Sequence, residues 1–419
     1  MVACPTGPMS HSGVRSWAVS GMAATKDPNV VAVLTELVER YDVTVADPGP
    51  DPVRIRLAVS DGEDHDAVLD GSAWLEPASL DVPDATLSAD AATWRGIAAD
   101  VRGGMTAYQQ GRLRVRRNLH LGVGFLAATS GEASPRRLRF EQVHTRSGHI
   151  STLQAGAGDP VLAIHGLGAT KASFLPTVAA LAGAHRVIAL DLPGFGESGK
   201  PLGAPYDARF FAEAVIELLD ALGLERAHLI GNSLGGRIAL EVGLRAPERV
   251  GRLVLLAPSM AWRRKRPWAP LLRAVRPELG VIQPASRAAV EQIVDRIIPG
   301  ARDGWAAAGV DEFMRAYLTR RGRAAFYAAA RQIYLEEPEG DDGFWPRLKT
   351  LTVPSLFVWG RRDTLVPIGF ARHVTDALPQ AEHLELDCSH VPQLERPRET
   401  HAAAIAFLSR RPRHGAGTP

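Results

Sequence analysis

Ala227-His228-Leu229-Ile230-Gly231-Asn232-Ser233-Leu234-Gly235-Gly236-Arg237 is the stretch whose reading decides the fold. A short apolar run, Ala227 to Ile230, leads into Gly-Asn-Ser-Leu-Gly, and Leu234 to Arg245 carries the apolar spacing of a helix. A serine between two glycines at a strand-to-helix turn is the pattern of a nucleophile elbow. The turn is so tight that its flanking positions tolerate almost no side chain, which glycine satisfies. Such a turn projects the Ser233 hydroxyl from its apex. The helix start behind it offers unpaired N–H groups and a positive dipole end.

A serine hydroxyl is too weakly acidic to attack unaided, so a base and a group that orients the base are required. Both are available downstream. Phe357-Val358-Trp359-Gly360 closes a strand, and Asp363 follows in the next loop. His383 to Leu386 forms another strand, and His390 lies in the loop beyond it, before Pro392. In a parallel sheet these loops share one edge with Ser233. His373 and His383 compete with His390, but the first falls on a helix pattern and the second begins a strand. Asp376 and Asp387 compete with Asp363, which is favoured by its place directly after the strand that ends at Gly360. Asp191, after the strand ending at Leu190, is read as structural.

A tetrahedral intermediate needs N–H donors for its oxyanion. Leu234 N–H, just after the nucleophile, is one. The second is expected from His165-Gly166-Leu167-Gly168, the loop after the Pro160–Ile164 strand, at Leu167 N–H. His165, Gly166, Gly231 and Gly235 are read as loop support, with His165 holding its loop by hydrogen bonds rather than acting as a base.

The 419 residues exceed one typical domain, so two are expected. With 48 basic and 46 acidic residues the balance gives no reason to expect nucleic acid. Arg263-Arg264-Lys265-Arg266 is the local exception; it reads first as solvated surface, with weak contact to an anionic membrane surface as the second reading. Two cysteines, Cys4 and Cys388, can form neither a disulfide framework nor a zinc cluster, and no motif calls for a metal or cofactor. The polar start, broken by Pro5, Gly7, Pro8 and Gly13, has no signal-peptide pattern, and no apolar run spans a membrane. A cytoplasmic protein is expected.

Residues 1–27 read as a disordered tail, 28–129 as a first domain, 130–137 as a linker, 138–412 as a second domain and 413–419 as a tail. In the first, Val30 to Tyr41 has helical spacing, Val53 to Val59 alternates as a strand, and Asp66 to Leu75 and Ala85 to Leu87 read as extended. Ala89 to Val101 reads as a helix, and Gln110 to Ala127 as one long strand-like alternation. This is an α+β pattern. In the second, eight strands are expected at Arg139–Val143, His149–Leu153, Pro160–Ile164, Arg186–Leu190, Ala227–Ile230, Arg252–Leu256, Pro354–Trp359 and His383–Leu386, with helices between most of them. That is a mostly parallel, doubly wound α/β sheet. Residues 259–347 break the alternation with amphipathic helices at Ala288–Ile298, Asp311–Thr319 and Ala324–Tyr334, an insertion placed to serve as a lid.

Between Arg139 and Leu408 the chain resembles the α/β-hydrolase superfamily. His165-Gly166, the run from Asp191 to Ser198, the run from Gly231 to Gly236, Trp359-Gly360 with Asp363, and Ser389-His390 look like its recurrent blocks. The resemblance implies a serine hydrolase rather than the epoxide hydrolase and haloalkane dehalogenase branches, which carry aspartate at the nucleophile position. Gly-Asn-Ser-Leu-Gly-Gly is similar both to carbon–carbon bond hydrolases of aromatic degradation and to esterases and lipases. In the first domain, the run from Ala85 to Asp90, Trp94, and the run from Tyr108 to Val115 resemble the sterol carrier protein family, whose fold is a helix-covered sheet around an apolar tunnel. That family usually has a glycine just after the last strand, where Arg116 and Arg117 stand here. Together the resemblances imply a small hydrophobic or lipid-like substrate, most simply an ester. A carbon–carbon hydrolase, an acyltransferase and a lipid-binding protein with a silent hydrolase half remain as rivals.

Overall fold

The computed structural model describes residues 29–99, 104, 107–108, 110–131, 137–263, 266–274, 286–288, 290–292 and 305–410. Two sheets organise them. The first is built from β1 (Val53–Val59), β2 (His65–Asp70), β3 (Ser72–Pro77), β4 (Ala85–Ala89) and β5 (Arg114–Arg116), in the order β3-β2-β1-β4-β5. β1 pairs antiparallel with β2 and parallel with β4. Helices α1 (Asn29–Glu39), α2 (Ala91–Ala99) and α3 (Leu119–Ala128) accompany it.

The alternation of β1 explains how this sheet divides polar from apolar. Ile55, Leu57 and Val59 are buried in one core with Leu34 and Leu37 of α1 and Trp94 of α2. Arg54 and Arg56 point the other way and converge on Asp66, whose Oδ1 accepts from Arg56 Nε at 2.7 Å. Successive strand residues face opposite sides, so one register serves both.

Two expectations in this region need correction. The extended run from Asp66 to Leu75 is a hairpin, turned at Gly71 with φ +63°. Asp70-Gly71 is the dipeptide that tight hairpins favour, and it was the overlooked signal. The alternation from Gln110 to Ala127 is a strand only over β5, and then becomes α3. Asn118 caps that helix, its side chain accepting from Leu121 N–H at 2.9 Å. Nearly every side of α3 is buried, so its apolar positions carry no helical period to read. Glycine at position 122 is required because a Cβ there would lie 2.6 Å from Val115 Cγ1.

The second sheet has eight strands: β6 (Arg139–Thr145), β7 (Gly148–Ala155), β8 (Asp159–Ile164), β9 (His185–Leu190), β10 (Ala227–Asn232), β11 (Val250–Leu256), β12 (Ser355–Gly360) and β13 (Glu382–Leu386). Their order is β13-β12-β11-β10-β8-β9-β7-β6, antiparallel only where β7 meets β6 and β9. Helices α4 (Leu175–Leu181), α5 (Ala208–Ala221) and α6 (Leu234–Arg245) lie between strands. The helical insertion after β11 holds α7 (Ala269–Ala274), α8 (Trp305–Tyr317) and α9 (Arg320–Leu335), followed by α10 (Phe344–Leu348). Then come α11 (Phe370–Ala377), α12 (Pro392–Glu395) and α13 (Pro397–Leu408). The expected helix Ala288–Ile298 lies mostly outside the described residues.

Strands buried on both faces read as continuous apolar runs, and these separate cleanly. Val161, Ala163, Val187, Ala189, Val254 and Val358 face α4 and α13. Leu162, Ile164, Ile188, Leu190, Leu253 and Leu255 face α5 and α6. The first of these faces is continuous with the core of the smaller sheet: Leu119 and Val123 of α3 line one small cleft with Leu153 and Leu175. No helix among the described residues is long and apolar enough to cross a membrane.

Trp94 is fully buried and its indole N–H donates to Ala58 O at 3.1 Å. Trp94→Ala is expected to remove about 3–5 kcal/mol of stability, measured by urea unfolding. A loss below about 1 kcal/mol would contradict this packing.

Candidate active site

β10 ends at Asn232 and α6 begins at Leu234, which leaves Ser233 alone on the turn with φ +53° and ψ −116°. A non-glycine residue at positive φ is strained and must be held. Here Ser233 N–H donates to Leu256 O at 3.0 Å, and Ser233 O accepts from Arg237 N–H at 3.0 Å and Ser259 N–H at 2.9 Å. The glycines have steric causes. A Cβ on Gly231 would strike Gly235 O, and one on Gly235 would strike Ile164 O. Gly236 faces Pro258 Cβ at 2.7 Å from where its own Cβ would be.

The loop after β8 runs directly against this turn. A Cβ on Gly166 would lie 3.2 Å from Ser233 Cβ, so the segment Gly166-Leu167-Gly168 borders the serine. Leu234, the residue after Ser233, supplies the first N–H of α6. His165 is fully buried, its Nδ1 2.7 Å from Gly166 O and its Nε2 accepting from Leu192 N–H at 3.0 Å. Those partners fix a neutral tautomer with the proton on Nδ1, and burial holds the ring's pKa below the ordinary histidine range. The ring therefore clamps two loops together.

Asp363 and His390 meet. His390 Nδ1 donates to Asp363 Oδ2 at 2.8 Å, and both side chains are buried. Asp363 Oδ1 accepts from Leu365 N–H at 2.8 Å and Val366 N–H at 2.9 Å, which fixes the carboxylate in its loop. With its Nδ1–H directed at Asp363, His390 presents Nε2 as an acceptor. Close approach of the two loops depends on Gly360, whose Cβ would collide with Ser389 O.

Two residues that sequence reasoning missed hold His390 in place. Asn232 Nδ2 donates to Leu256 O and to His390 O, each at 3.0 Å, tying the histidine loop to the residue before Ser233. Glu395 reaches back from α12, accepting from Ser389 N–H at 2.8 Å and Val391 N–H at 3.1 Å, on either side of His390. The Glu five residues after a loop histidine, at a helix start marked by Pro392, was the available signal. The rivals sit elsewhere. His383 Nδ1 accepts from Trp359 Nε1 at 3.0 Å, His373 lies on α11, and exposed Asp387 pairs with Arg362.

Asp191 is fully buried beside Lys171, with Nζ at 2.6 Å, and its carboxylate also accepts from Lys171 N–H and Glu197 N–H. Burial opposes its ionisation, but the Lys171 charge, His165 and these hydrogen bonds win and hold its pKa down at about 2. It staples the loop after β9 to the segment after β8. The insertion closes over the same region. Phe313 and Tyr317 of α8 stack on each other and meet Phe326 of α9 edge-on. A Cβ on Gly168 would lie 2.7 Å from Phe313 Cε2.

The basic run is paired where it is described. Arg263 meets Glu339 at 2.8 Å and Arg266 meets Glu337 at 2.9 Å, while Arg264 and Lys265 lie outside the described residues. Among the described residues no three His, Cys, Asp or Glu side chains are grouped to hold a metal. Cys388, two residues before His390, is buried, and burial pushes its thiol up to about 12.

Residues 159–397 match the alpha/beta hydrolase fold family. The dihydrolipoyllysine-residue acetyltransferase component of the acetoin cleaving system of Pseudomonas putida is 32% identical over 255 residues, covering 60% of this chain and 64% of that protein, less than two thirds of its length. The 2-hydroxymuconate semialdehyde hydrolase of Pseudomonas sp. strain CF600 is 29% identical over 270 residues, 61% of this chain and 86% of that protein. Among solved structures, a membrane phospholipase A described as a bacterial virulence factor is 32% identical with a TM-score of 0.54, covering 65% of this chain and 86% of that one.

Lys171→Met leaves the Asp191 carboxylate buried without its cation and is expected to destabilise the fold by about 3–5 kcal/mol at neutral pH. In the parent, Asp191 contributes stability above its unfolded value of 3.8 that is lost as pH falls toward about 2. In the variant burial acts with less opposition and raises the same carboxyl. Its deficit is therefore largest at neutral pH and narrows as Asp191 protonates. Urea unfolding of both proteins from pH 7 to pH 4 checks this, and a pH-independent deficit would contradict it.

Proposed function

Because this chain belongs to the alpha/beta hydrolase family, we propose that it is a serine hydrolase acting on an ester of a hydrophobic or lipid-like substrate. The observation that carries this reading is the buried His390–Asp363 hydrogen bond, on a loop that Asn232 ties to the turn bearing Ser233. In the proposed reaction, Ser233 Oγ bonds to the acyl carbon while His390 Nε2 takes its proton. The carbonyl π electrons move to oxygen, which the Leu167 and Leu234 N–H groups hold. The tetrahedral species collapses, the alkoxide leaves, and His390 returns the proton to it. Water then attacks the acyl-enzyme with the same base, releasing the acid and restoring Ser233. Asp363 keeps the proton on Nδ1 and stabilises the imidazolium while it exists.

The substrate class rests on three supports. The phospholipase likeness is one. The aromatic wall of Phe313, Tyr317 and Phe326 beside Gly168 is the second, since apolar linings suit apolar substrates. The third is the resemblance of the first domain to sterol carrier proteins, for which the mixed five-stranded sheet, with α1, α2 and α3 beside it among the described residues, is the support. On that reading the smaller unit binds a lipid-like ligand.

A second reading is favoured by the semialdehyde hydrolase likeness: carbon–carbon hydrolysis of a dienoic diketone through the same residues. Transfer of the acyl group to an alcohol or thiol instead of water is a variant of the leading one.

A fluorophosphonate probe is expected to label Ser233, with p-nitrophenyl acyl esters turned over. Ser233→Ala should abolish labelling and lower kcat by about a million-fold, and Asp363→Asn should lower it by about 10,000-fold. Turnover of a dienoic diketone with none of the esters would favour the second reading. No labelling of the folded protein would favour a lipid-binding protein with a silent hydrolase half.

A further inference from the structure

Helix α8 belongs to the insertion of the larger unit, yet one of its acidic side chains is held by the smaller unit. Asp311 is largely buried. Its Oδ2 accepts from Arg116 Nε at 2.7 Å and from Arg117 backbone N–H at 2.9 Å, and its Oδ1 accepts from Arg116 Nη2 at 3.2 Å. Arg287 also reaches Oδ1, so all of these contacts fall on one carboxylate. Arg116 closes β5, and Arg117 is the next residue. The two-toothed arrangement of Arg116 on Asp311 fixes direction as well as distance.

The backbone at this point is unusual. Arg117 has φ +72°, a conformation that glycine adopts freely and an arginine does not. That strained turn is what aims the Arg117 N–H at Asp311. A residue with a side chain held there marks a position set by its contact rather than by local preference.

The remaining faces of α8 reach the other unit. Arg315, one turn beyond Asp311, pairs with Glu312 at 2.7 Å and Glu197 at 2.5 Å, and Glu197 N–H in turn donates to Asp191 in the loop after β9. Phe313 and Tyr317, spaced to share a face, stack at 5.0 Å between centroids and line one cleft with Gly168 of the segment that borders Ser233, Phe313 pressing directly on that glycine. Asp311 and Phe313 lie within one turn of a rigid helix. Displacing Asp311 by an ångström therefore displaces the aromatic wall by a similar amount.

We propose that Arg116 and Arg117 are positioning residues for the substrate pocket, holding α8 through Asp311 so that Phe313 and Tyr317 form the wall beside the oxyanion segment. They touch no reacting atom. Their effect falls on how well long apolar acyl groups fit, while a short acyl group that does not reach the wall is indifferent to them. The specificity half of this inference rests on the serine hydrolase reading. The mechanical half does not.

The test uses the full chain and three variants: Arg116→Ala, Asp311→Ala and Arg116→Lys. Hydrogen exchange of peptides covering 305–317 is followed beside peptides of β1 and β4. Arg116→Ala and Asp311→Ala are expected to speed exchange in 305–317 by about tenfold, the scale of one lost charge-assisted hydrogen bond, and to leave β1 and β4 as they were. They should also lower the preference for a long over a short p-nitrophenyl acyl ester by about tenfold, through KM for the long ester. Fluorophosphonate labelling of Ser233 should persist in all three. Arg116→Lys keeps the charge without the fork and should fall between parent and Arg116→Ala. Unchanged exchange in 305–317 in both alanine variants would overturn the inference. So would an altered exchange there with the acyl-chain preference intact, because α8 would then not set the pocket. If the parent is neither labelled nor active, the hydrolase reading fails, and the exchange result still decides whether the units are joined at Asp311.

Discussion

The crossing of backbone at Ser233 is the constraint on which the rest of this structure depends. Three chain segments, the end of β8, the end of β10 and the start of α6, come closer than any side chain permits, and Gly231, Gly235 and Gly236 are where they do so. The strain of a serine at positive φ is offset by hydrogen bonds to Leu256 and Ser259, in the neighbouring strand and its exit loop, and to Arg237 in the first turn of α6. The elbow is therefore not a local motif that could be moved elsewhere. It exists because β11 lies beside β10 in register and supplies the Leu256 carbonyl.

The same edge collects buried charge. Lys171 with Asp191, and Arg237 with Glu241, are nearly inaccessible to water, and Glu336 joins Arg237 from a partly buried position. Burying ions costs several kcal/mol each, so such pairs are poor devices for raw stability. What they supply is directionality. Asp191 makes its hydrogen bonds to Lys171 and Glu197 in one fixed arrangement of the loops after β8 and β9. Arg237, one turn into α6, ties the C-terminal end of α9 at Glu336 to the helix behind Ser233, and Glu241 passes the link on to Arg347 at 2.6 Å. Apolar packing alone would hold these loops near one another without selecting one register.

The legibility of the sequence follows from these forces. Strands β8 to β12 are bounded runs with mostly apolar, mostly buried residues, and their bounds, like those of the exposed edge strand β13, are readable to within a residue or two. The placement of Ser233, Asp363 and His390 is legible because each follows a strand on one edge of a parallel sheet, which is a statement about chain order. Asn232 and Glu395 were not, because their hydrogen bonds join residues whose nearness is a product of the fold. α3 is illegible as a helix because, buried on nearly all sides, it has no polar face to set a period. The Asp70-Gly71 hairpin is hard to read because a single dipeptide is its only signal among the apolar residues around it. The basic run at 263–266 stood out in sequence, whereas the glutamates that meet Arg263 and Arg266 are more than seventy residues away.

The most consequential illegible feature is the junction of the two units. A composition break at 130–137 suggests beads on a string, yet α3 contributes Leu119 and Val123 to an apolar core that also holds Leu153, Val161 and Leu175 of the larger sheet. A flexible tether would leave these faces wet, and burying them favours one mutual placement of the sheets. That placement then makes specific polar contacts worthwhile, because a charge pair such as Arg116 with Asp311 forms at little further entropic cost once its partners are already aligned. Apolar burial fixes the distance between the units, and the ion pair then fixes the orientation of the helix lying across them.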